Sequence, residues 1–458
     1  MNKIANFLYP KLPIFMQNIA CTIYGYLEKR KRFNSIFHNY MEIFSSSEYL
    51  LKKDIKKYQK KMLTLALLNA SKRGLFKNTS SKDINKDPFA VLSKAPILEK
   101  DDIRGLVKKI NNKKASNVFV TSGTTGKALK FYKDKDSIAA QWAIWQRHRK
   151  RFGIKLGDLS VNFTGKPVVP NPKKGKPHWR YNAAISQYNI GMKSISRDNI
   201  KDIVIFLNSI EPKFWSGYPS IIAEVARLAL SEKLALNNKN KPSIIFTGAE
   251  NLLDYQKADI KKWINVKISD QYGLSEGCCN FSQCEEDNYH EDFEFGCFEL
   301  LNPIVLEDGA VKGELIATSF YNYDTPFIKY NTGDVVIVEP DDFKCKCGRS
   351  SKVIRSIEGR ADDYVLTPDG KRIMRVDYIF KNTQEAQEAQ VVQNNLSEVE
   401  IKAVLHETIM KESFEKKVKE NFRTYISKDM EVTFNYVPFI QRTNAGKFEA
   451  IVNNLENS

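Results

Sequence analysis

The pattern of apolar and polar positions divides this chain into three stretches. Through residues 1–100, apolar residues recur at helical spacing, as at Met62, Leu65, Ala66 and Leu68, so this part is expected to be mostly helical. Pro96 interrupts the pattern, and Glu99-Lys100-Asp101-Asp102 reads as the acidic start of another helix. The texture then changes. Asn117–Val120 is a short β-branched run, a loop rich in Gly, Ser and Thr follows, and Leu129–Tyr132 is a second strand. From there to about 340, short apolar strands alternate with helical stretches. Ser243–Phe246 and Val266–Ile268 are strands expected to end in polar loops at Thr247-Gly248 and Asp270-Gln271. Such alternation predicts an α/β domain, whose ligands sit beyond the carboxyl ends of its strands.

Past about 360 the pattern shifts again. Glu398–Leu405 reads as a strand and Met430–Val437 as another. Between them, Ser413–Ile426 places Phe414, Val418, Phe422 and Ile426 one helical turn apart, which makes one buried stripe. The expected fold class is therefore α/β, a large multi-layered domain followed by a small, mobile α+β domain. The expected boundaries are 1–116 for the helical segment of the large domain, 117–360 for its remainder, and 361–458 for the small domain. No internal repeat or low-complexity linker appears, so a short hinge near Gly359–Asp363 is expected to join the two.

Composition narrows the class. The chain has 458 residues, 42% of them hydrophobic and 27% charged, which is the balance of a globular rather than a disordered protein. No run approaches the roughly 20 apolar residues of a membrane span, and the first residues lack the pattern of a secretory signal. Seven cysteines in so long a chain do not make a disulfide scaffold. They read as thiols of a cytoplasmic protein, some of them available to metal. The formal net charge of +17 is spread along the chain, with runs at Lys108–Lys114 and Lys173–Lys176. Without a nucleic-acid-binding module it reads as a solvated basic surface, and no nucleic-acid partner is expected.

Five short stretches carry chemistry. Thr121-Ser122-Gly123-Thr124-Thr125-Gly126-Lys127 offers backbone N–H groups, hydroxyls and an ammonium to phosphate oxygens. It is not a Walker loop, because only two residues separate Gly123 from Gly126 and Ala128 follows Lys127. Taken alone it is either a phosphate cradle or a hairpin turn. Asp270-Gln271-Tyr272-Gly273-Leu274-Ser275-Glu276 sets an aromatic four residues before a carboxylate suited to Mg²⁺. Tyr330-Asn331-Thr332-Gly333-Asp334 puts a carboxylate after a glycine turn at the end of a Phe327–Tyr330 strand, where it can accept from a ribose diol. Gly359-Arg360-Ala361-Asp362-Asp363 stands at the composition break. Gln441-Arg442-Thr443-Asn444-Ala445-Gly446-Lys447 carries a lysine able to reach into another domain's site. Each of the last four, by itself, is also an ordinary strand end or polar loop.

In this order and spacing the five stretches resemble the adenylate-forming superfamily of acyl-CoA synthetases, nonribosomal adenylation domains and luciferases. Pro96–Arg104, Gly217-Tyr218-Pro219-Ser220 and Cys345-Lys346-Cys347-Gly348-Arg349 are similar to the phenylacetate–CoA ligase family. The helical first 100 residues and Lys176–Asn182 resemble its group encoded in capsular polysaccharide clusters. The resemblance implies two half-reactions. A carboxylate attacks the α-phosphorus of ATP, giving an acyl-adenylate and pyrophosphate; a nucleophile, usually CoA, then displaces AMP. It implies that Thr121–Lys127 hold the β and γ phosphates, and that Gly248-Ala249-Glu250 and Tyr272 form the adenine pocket, with Asp270, Gln271, Gly273 and Ser275 beside it. It also implies that Glu276 holds Mg²⁺, that Asp334 binds the ribose hydroxyls, and that Arg360 lies close to ribose and phosphate. Asp362 becomes the hinge, and Lys447 bridges the carboxylate and the α-phosphate. Ala128 and Ser275 depart from the family's common Pro and Thr without removing a needed group.

Cys284 and His290 with Cys345 and Cys347 make a set of three thiols and one imidazole suited to a structural zinc. Their separation in sequence leaves open whether they meet; some members of the resembled family share the pattern. Cys278 and Cys279 read as small packing residues. His178, Trp179, Tyr181, Tyr218 and Gly277 are candidates for the acyl or acceptor pocket, with an aromatic core cluster as the competing explanation. The expected ligands are thus ATP, Mg²⁺, a small carboxylic acid, and either CoA or an amine of a sugar or amino acid. A homodimer is left open, and a non-catalytic scaffold is the reading from another class.

Overall fold

A computed structural model describes residues 8–75, 79–109, 117–120, 129–360, 364–373, 376–380, 386–405, 411–443 and 448–455. The N-terminal stretch is helical, with helices Ile14–Arg32, Ser35–Ser47, Lys52–Lys72, Ser81–Lys86, Pro88–Lys94 and Lys100–Lys109. In Lys52–Lys72 the buried stripe is Met62, Leu63, Ala66, Leu67 and Ala70, while Leu65 is exposed. The expected stripe was rotated by a residue, because Leu63 and Leu67 complete the helical row that Leu65 leaves.

β1 (Asn117–Val120) and β2 (Lys130–Lys133) form an antiparallel pair. The helix Lys135–Arg151 follows, capped by Asp134, whose carboxylate accepts from the Ser137 N–H at 2.7 Å. Then come β3 (Ser160–Thr164), β4 (Trp179–Asn182), β5 (Gln187–Gly191), helix Ile200–Leu207, β6 (Phe214–Gly217), helix Pro219–Ser231, β7 (Ile244–Gly248), helix Asp254–Ile264 and β8 (Lys267–Gly273). A run of strands ends the large unit: β9 (Asn280–Gln283), β10 (Tyr289–Glu291), β11 (Gly296–Val305), β12 (Val311–Ser319), β13 (Tyr330–Val338) and β14 (Val353–Arg360).

Strands β3 to β14 join in one 12-stranded sheet of order β11-β12-β13-β14-β10-β9-β8-β7-β6-β3-β5-β4. From β8 through β5 every pairing is parallel, with β4 antiparallel at the edge; from β8 through β11 every pairing is antiparallel. The parallel half buries Phe163, Trp215 and Ile245 against the helices Ile200–Leu207, Pro219–Ser231 and Asp254–Ile264. The N-terminal helices pack Phe37, Phe44, Leu63 and Leu67 against Ala139, Ala143 and Phe320. A buried ion cluster crosses this contact: Arg147 bridges Asp292 and Glu294 at 2.5 Å each, and the Ser47 hydroxyl donates to Glu294 at 2.5 Å.

The last part holds β15 (Val365–Leu366), β16 (Arg372–Ile373), β17 (Ala386–Asn395), β18 (Glu398–Leu405), helix Lys411–Tyr425, β19 (Glu431–Tyr436) and β20 (Ile451–Asn453). Its four-stranded sheet runs β19-β18-β17-β20, and Phe414, Val418 and Phe422 are fully buried against it.

Three expected loop positions lie within strands. Thr247-Gly248 and Asp270-Gln271 belong to β7 and β8, and Gly359-Arg360 ends β14. The expected Phe327–Tyr330 strand begins only at Tyr330, and Asp334 sits inside it. Gly333, at φ 74°, takes up a register shift against β12 that reads in sequence as a turn.

Candidate active site

The carboxyl ends of β6, β7 and β8 open on the same edge of the parallel half, the edge where ligands of such sheets bind. At the end of β8, the Tyr272 hydroxyl donates to Asp334 Oδ2 of β13 at 2.5 Å. Its ring stacks on Phe281, with centroids 5.1 Å apart. Asp334 pairs across β13 and β14 with Arg360, so the second, third and fourth motifs meet in one place. Glu276 is buried close by. The Tyr330 hydroxyl donates to its Oε1 at 3.3 Å, and burial pushes its carboxyl above the ordinary value, with Asp334 adding to the shift.

Sequence reasoning missed Lys133, which lies beside Glu276. Its ammonium is fully buried and donates to Gln141 Oε1 at 2.7 Å; Gln141 in turn donates to the Leu274 carbonyl at 3.2 Å. Burial pulls this lysine down to about 8, against the opposing pull of the Glu276 charge. The signal was present: Leu129, Phe131 and Lys133 alternate, so one period-two face places the lysine in a buried register. Gly277, at φ 69°, closes the turn, and a Cβ there would stand 3.0 Å from the Lys133 ammonium. The Gly273 position also admits no Cβ, since Asn280 Oδ1 stands 2.6 Å from where it would be. Ser275 is exposed.

The Gly248-Ala249-Glu250 stretch turns sharply. Ala249 sits at φ 69°, a left-handed position that costs a non-glycine residue on the order of 1 kcal/mol. Glu250 is half-buried, desolvation raises its carboxyl, and it faces two ways. Oε2 accepts from the Ser220 N–H at 3.4 Å, at the start of helix Pro219–Ser231. Oε1 accepts from the Phe448 N–H of the C-terminal part at 2.9 Å. Tyr218 borders this point, close enough for the Glu250 charge to raise its phenol beyond the effect of burial. Gly217 precedes it at φ 151°, where a Cβ would lie 2.2 Å from the Phe163 carbonyl.

Other expected site residues are spent elsewhere. Asp270 is buried and accepts from the Thr247 and Tyr289 hydroxyls, the latter at 2.6 Å. Gln271 donates to Asn280 Oδ1 at 2.9 Å and meets His148 on helix Lys135–Arg151 at 3.3 Å. Both brace β8. His178 is fully buried near Asp202, Nε2 to Oδ2 3.6 Å, and burial lowers its imidazole. It adjoins β4, five strands from β8, which at ~4.8 Å per strand is about 24 Å away. The structure does not bring His178 to Tyr272 and Glu276. Thr121 to Lys127, Asp362 and Lys447 lie outside the described residues, as does the Arg360 side chain.

A second cluster stands apart. Cys284, His290, Cys345 and Cys347 present ligand atoms that all lie within 4.8 Å of one another. Cys284 Sγ is 3.7 Å from Cys345 Sγ, and Cys347 Sγ is 3.3 Å from His290 Nε2. Two sulfurs each ~2.3 Å from a tetrahedral zinc stand roughly 3.8 Å apart, so the spacing suits that ion. His290 Nδ1 meets the Ser351 hydroxyl at 3.3 Å, which orients the ring with Nε2 toward the thiols. Cys284 follows β9, His290 lies in β10, and Cys345 and Cys347 stand in the loop before β14, so the set joins the β9–β10 pair to that loop.

Comparison with known proteins agrees with this architecture. Residues 365–454 match the family model described as the CapK C-terminal domain. Protein CapK of Staphylococcus aureus is 27% identical over 463 residues, covering 98% of this chain and 100% of that protein. Among solved structures, a 2-hydroxyisobutyryl-CoA ligase in the postadenylation state in complex with R3-HIB-AMP aligns with TM-score 0.67. It is 16% identical and covers 90% of this chain and 92% of that one. A benzoate CoA ligase from Burkholderia xenovorans LB400 aligns with TM-score 0.50 at 14% identity, covering 74% of this chain and 69% of that one.

Proposed function

We propose that this chain, which has the fold of the adenylate-forming ligases and ends in a CapK C-terminal domain, activates a small carboxylic acid with ATP in the cytoplasm and transfers the acyl group to CoA. The observation that carries this reading is the meeting of Tyr272, Asp334 and Glu276 at the carboxyl ends of the strands. In the first half-reaction a carboxylate oxygen attacks the α-phosphorus of ATP and pyrophosphate leaves. In the second, the CoA thiol attacks the acyl carbonyl and AMP leaves. In-line attack at phosphorus needs positioning and charge neutralisation more than a protein nucleophile.

On this reading Tyr272 and Gly248-Ala249-Glu250 flank the adenine, and Asp334 accepts from the ribose hydroxyls. A carboxylate has room for about four hydrogen bonds, so the Tyr272 bond leaves capacity for the diol. Thr121–Lys127 hold the outer phosphates, Arg360 lies close to ribose and phosphate, and Lys447 bridges the α-phosphate to the attacking carboxylate. Asp362 is the pivot between half-reactions. Glu276 fits Mg²⁺, since a buried carboxylate with a raised pKa gains from a cation; that ion would neutralise phosphate charge. Lys133 holds the Leu274–Gly277 turn so that Glu276 keeps its aim. The Cys284, His290, Cys345 and Cys347 set fits zinc in a structural role, because four protein ligands leave no open position.

The acceptor is tested by product analysis. With ATP, an adenylated acid and CoA, an acyl-CoA thioester is expected, and none should form without CoA. An amide formed from an amino sugar or amino acid without CoA would replace CoA as the acceptor. The resemblance of the helical first 100 residues and Lys176–Asn182 to the capsular group motivates that second reading.

A further inference from the structure

Helix Ile14–Arg32 is amphipathic in the reverse sense. Its polar and small face is turned to the protein. Gln17 accepts from Arg180 Nε at 2.6 Å, Asn18 from the Tyr181 N–H at 3.0 Å, and Thr22 from the Ala183 N–H at 3.2 Å. Gly25 packs so closely on Asn182 that a Cβ would stand 2.1 Å from its amide oxygen. Lys29 donates to the Ala184 carbonyl at 3.0 Å, and Arg32 covers the Trp142 ring. These residues fix the helix against β4 and helix Lys135–Arg151, so its orientation is set by directional bonds.

The opposite face holds Phe15, Met16, Ile19, Ile23, Tyr26 and Leu27, each between 41% and 64% exposed. At 100° per residue they fall within an arc of about 120°. No acidic residue lies on that arc; Arg30 does. Lys31 stands beside its basic end. At the other end, Arg180, which holds Gln17, also donates to the Pro177 carbonyl at 2.9 Å, directly after the exposed run Lys173, Lys174 and Lys176. Among the described residues no helix is long and apolar enough to cross a membrane.

We propose that this face docks the protein onto an anionic phospholipid surface, with the helix lying in the plane of the interface. An outward apolar stripe free of carboxylates, with Arg30 on it and Lys31 beside it, is the pattern of an interfacial helix. Charge selects the occupant. A chain of net charge +17 whose patch is flanked by lysine and arginine repels a second copy of itself and is attracted to anionic headgroups.

The test is flotation of the full chain with phosphatidylcholine vesicles, with and without about a third phosphatidylglycerol. The expected result is binding to the anionic vesicles at least about tenfold tighter than to neutral ones, weakened by salt. The triple substitution Ile19→Ser, Ile23→Ser, Leu27→Ser is expected to lose at least about tenfold of that binding, with melting temperature and solution activity unchanged, since these side chains are exposed. A second variant, Lys173→Glu, Lys174→Glu, Lys176→Glu, keeps the apolar face and is expected to lose preference for the anionic vesicles. Equal binding by wild type and both variants, or no binding to anionic vesicles, overturns the proposal. A dimer in sedimentation velocity that the triple substitution abolishes, without vesicle binding, assigns the face to a second copy instead.

Discussion

The Tyr272 hydroxyl donates to Asp334 Oδ2 at 2.5 Å, joining the end of β8 to the interior of β13 across 62 residues of sequence. If Asp334 holds the ribose, Asp334→Ala removes charged hydrogen bonds worth roughly 1.5–3 kcal/mol. The apparent ATP affinity in pyrophosphate exchange should then fall about ten- to a hundredfold. Tyr272→Phe removes only a neighbour of that carboxylate and should cost less. A larger loss in Tyr272→Phe than in Asp334→Ala would assign the hydroxyl, not the carboxylate, to the nucleotide.

Glu250 ties the large unit to the C-terminal part through the Phe448 N–H, one residue after Lys447. Glu250→Ala should slow pyrophosphate exchange by about tenfold, because the lysine segment loses its anchor. Glu250→Gln keeps an acceptor oxygen and should retain most activity. Equal losses in the two variants would mean that the charge matters, and that the anchor does not.

Lys133 predicts a pH dependence. Burial holds its pKa down at about 8 in the folded chain, against about 10.5 for a free lysine. Below about 8, burial of the charged ammonium costs stability in full. Between about 8 and 10.5 the unfolded chain holds the proton and the folded chain does not, so stability rises with pH, by at most about 1.4 kcal/mol per unit. Urea titrations without added magnesium or nucleotide should show wild type gaining on Lys133→Met from pH 8 to 10. Parallel curves would mean that the ammonium is not desolvated.

The four-residue cluster makes a metal prediction. Protein purified without a His tag should carry about one zinc per chain, and Cys345→Ser should lose it and melt several degrees lower. Activity of the folded variant should persist, since the cluster lies on the turn after β9 and not at Tyr272. Folded, active wild type without zinc would refute the assignment.

What was legible in the sequence follows the reach of local signals. Phe414, Val418 and Phe422 fall on one helical stripe and are buried on one face, because the 3.6-residue period is a property of a few consecutive turns. Asp334 was recognised as a motif but misplaced, because Gly333 reads as a turn whether it ends a strand or bulges one. The Cys and His positions were visible, yet only pairing of β10 with β14 brings His290 near the later cysteines. The bonds from Lys133 to Gln141 and from Glu250 to Phe448 join elements by tertiary packing and leave no periodic trace. His178 shows the opposite error. It stands among aromatic residues that suggest a pocket, but β4 lies at the sheet edge.

ATP–pyrophosphate exchange over a panel of aryl, short-chain, hydroxy and amino acids, run on wild type and Lys447→Ala together, tests the central claim most directly. Exchange needs only the first half-reaction, so the acceptor need not be known. The account predicts exchange with at least one acid class, and its loss by about a thousandfold or more in Lys447→Ala, with fold and ATP binding retained. Exchange that survives in Lys447→Ala would contradict the role of that lysine. No exchange with any acid, while ATP binds, would contradict adenylation and leave a nucleotide-binding scaffold.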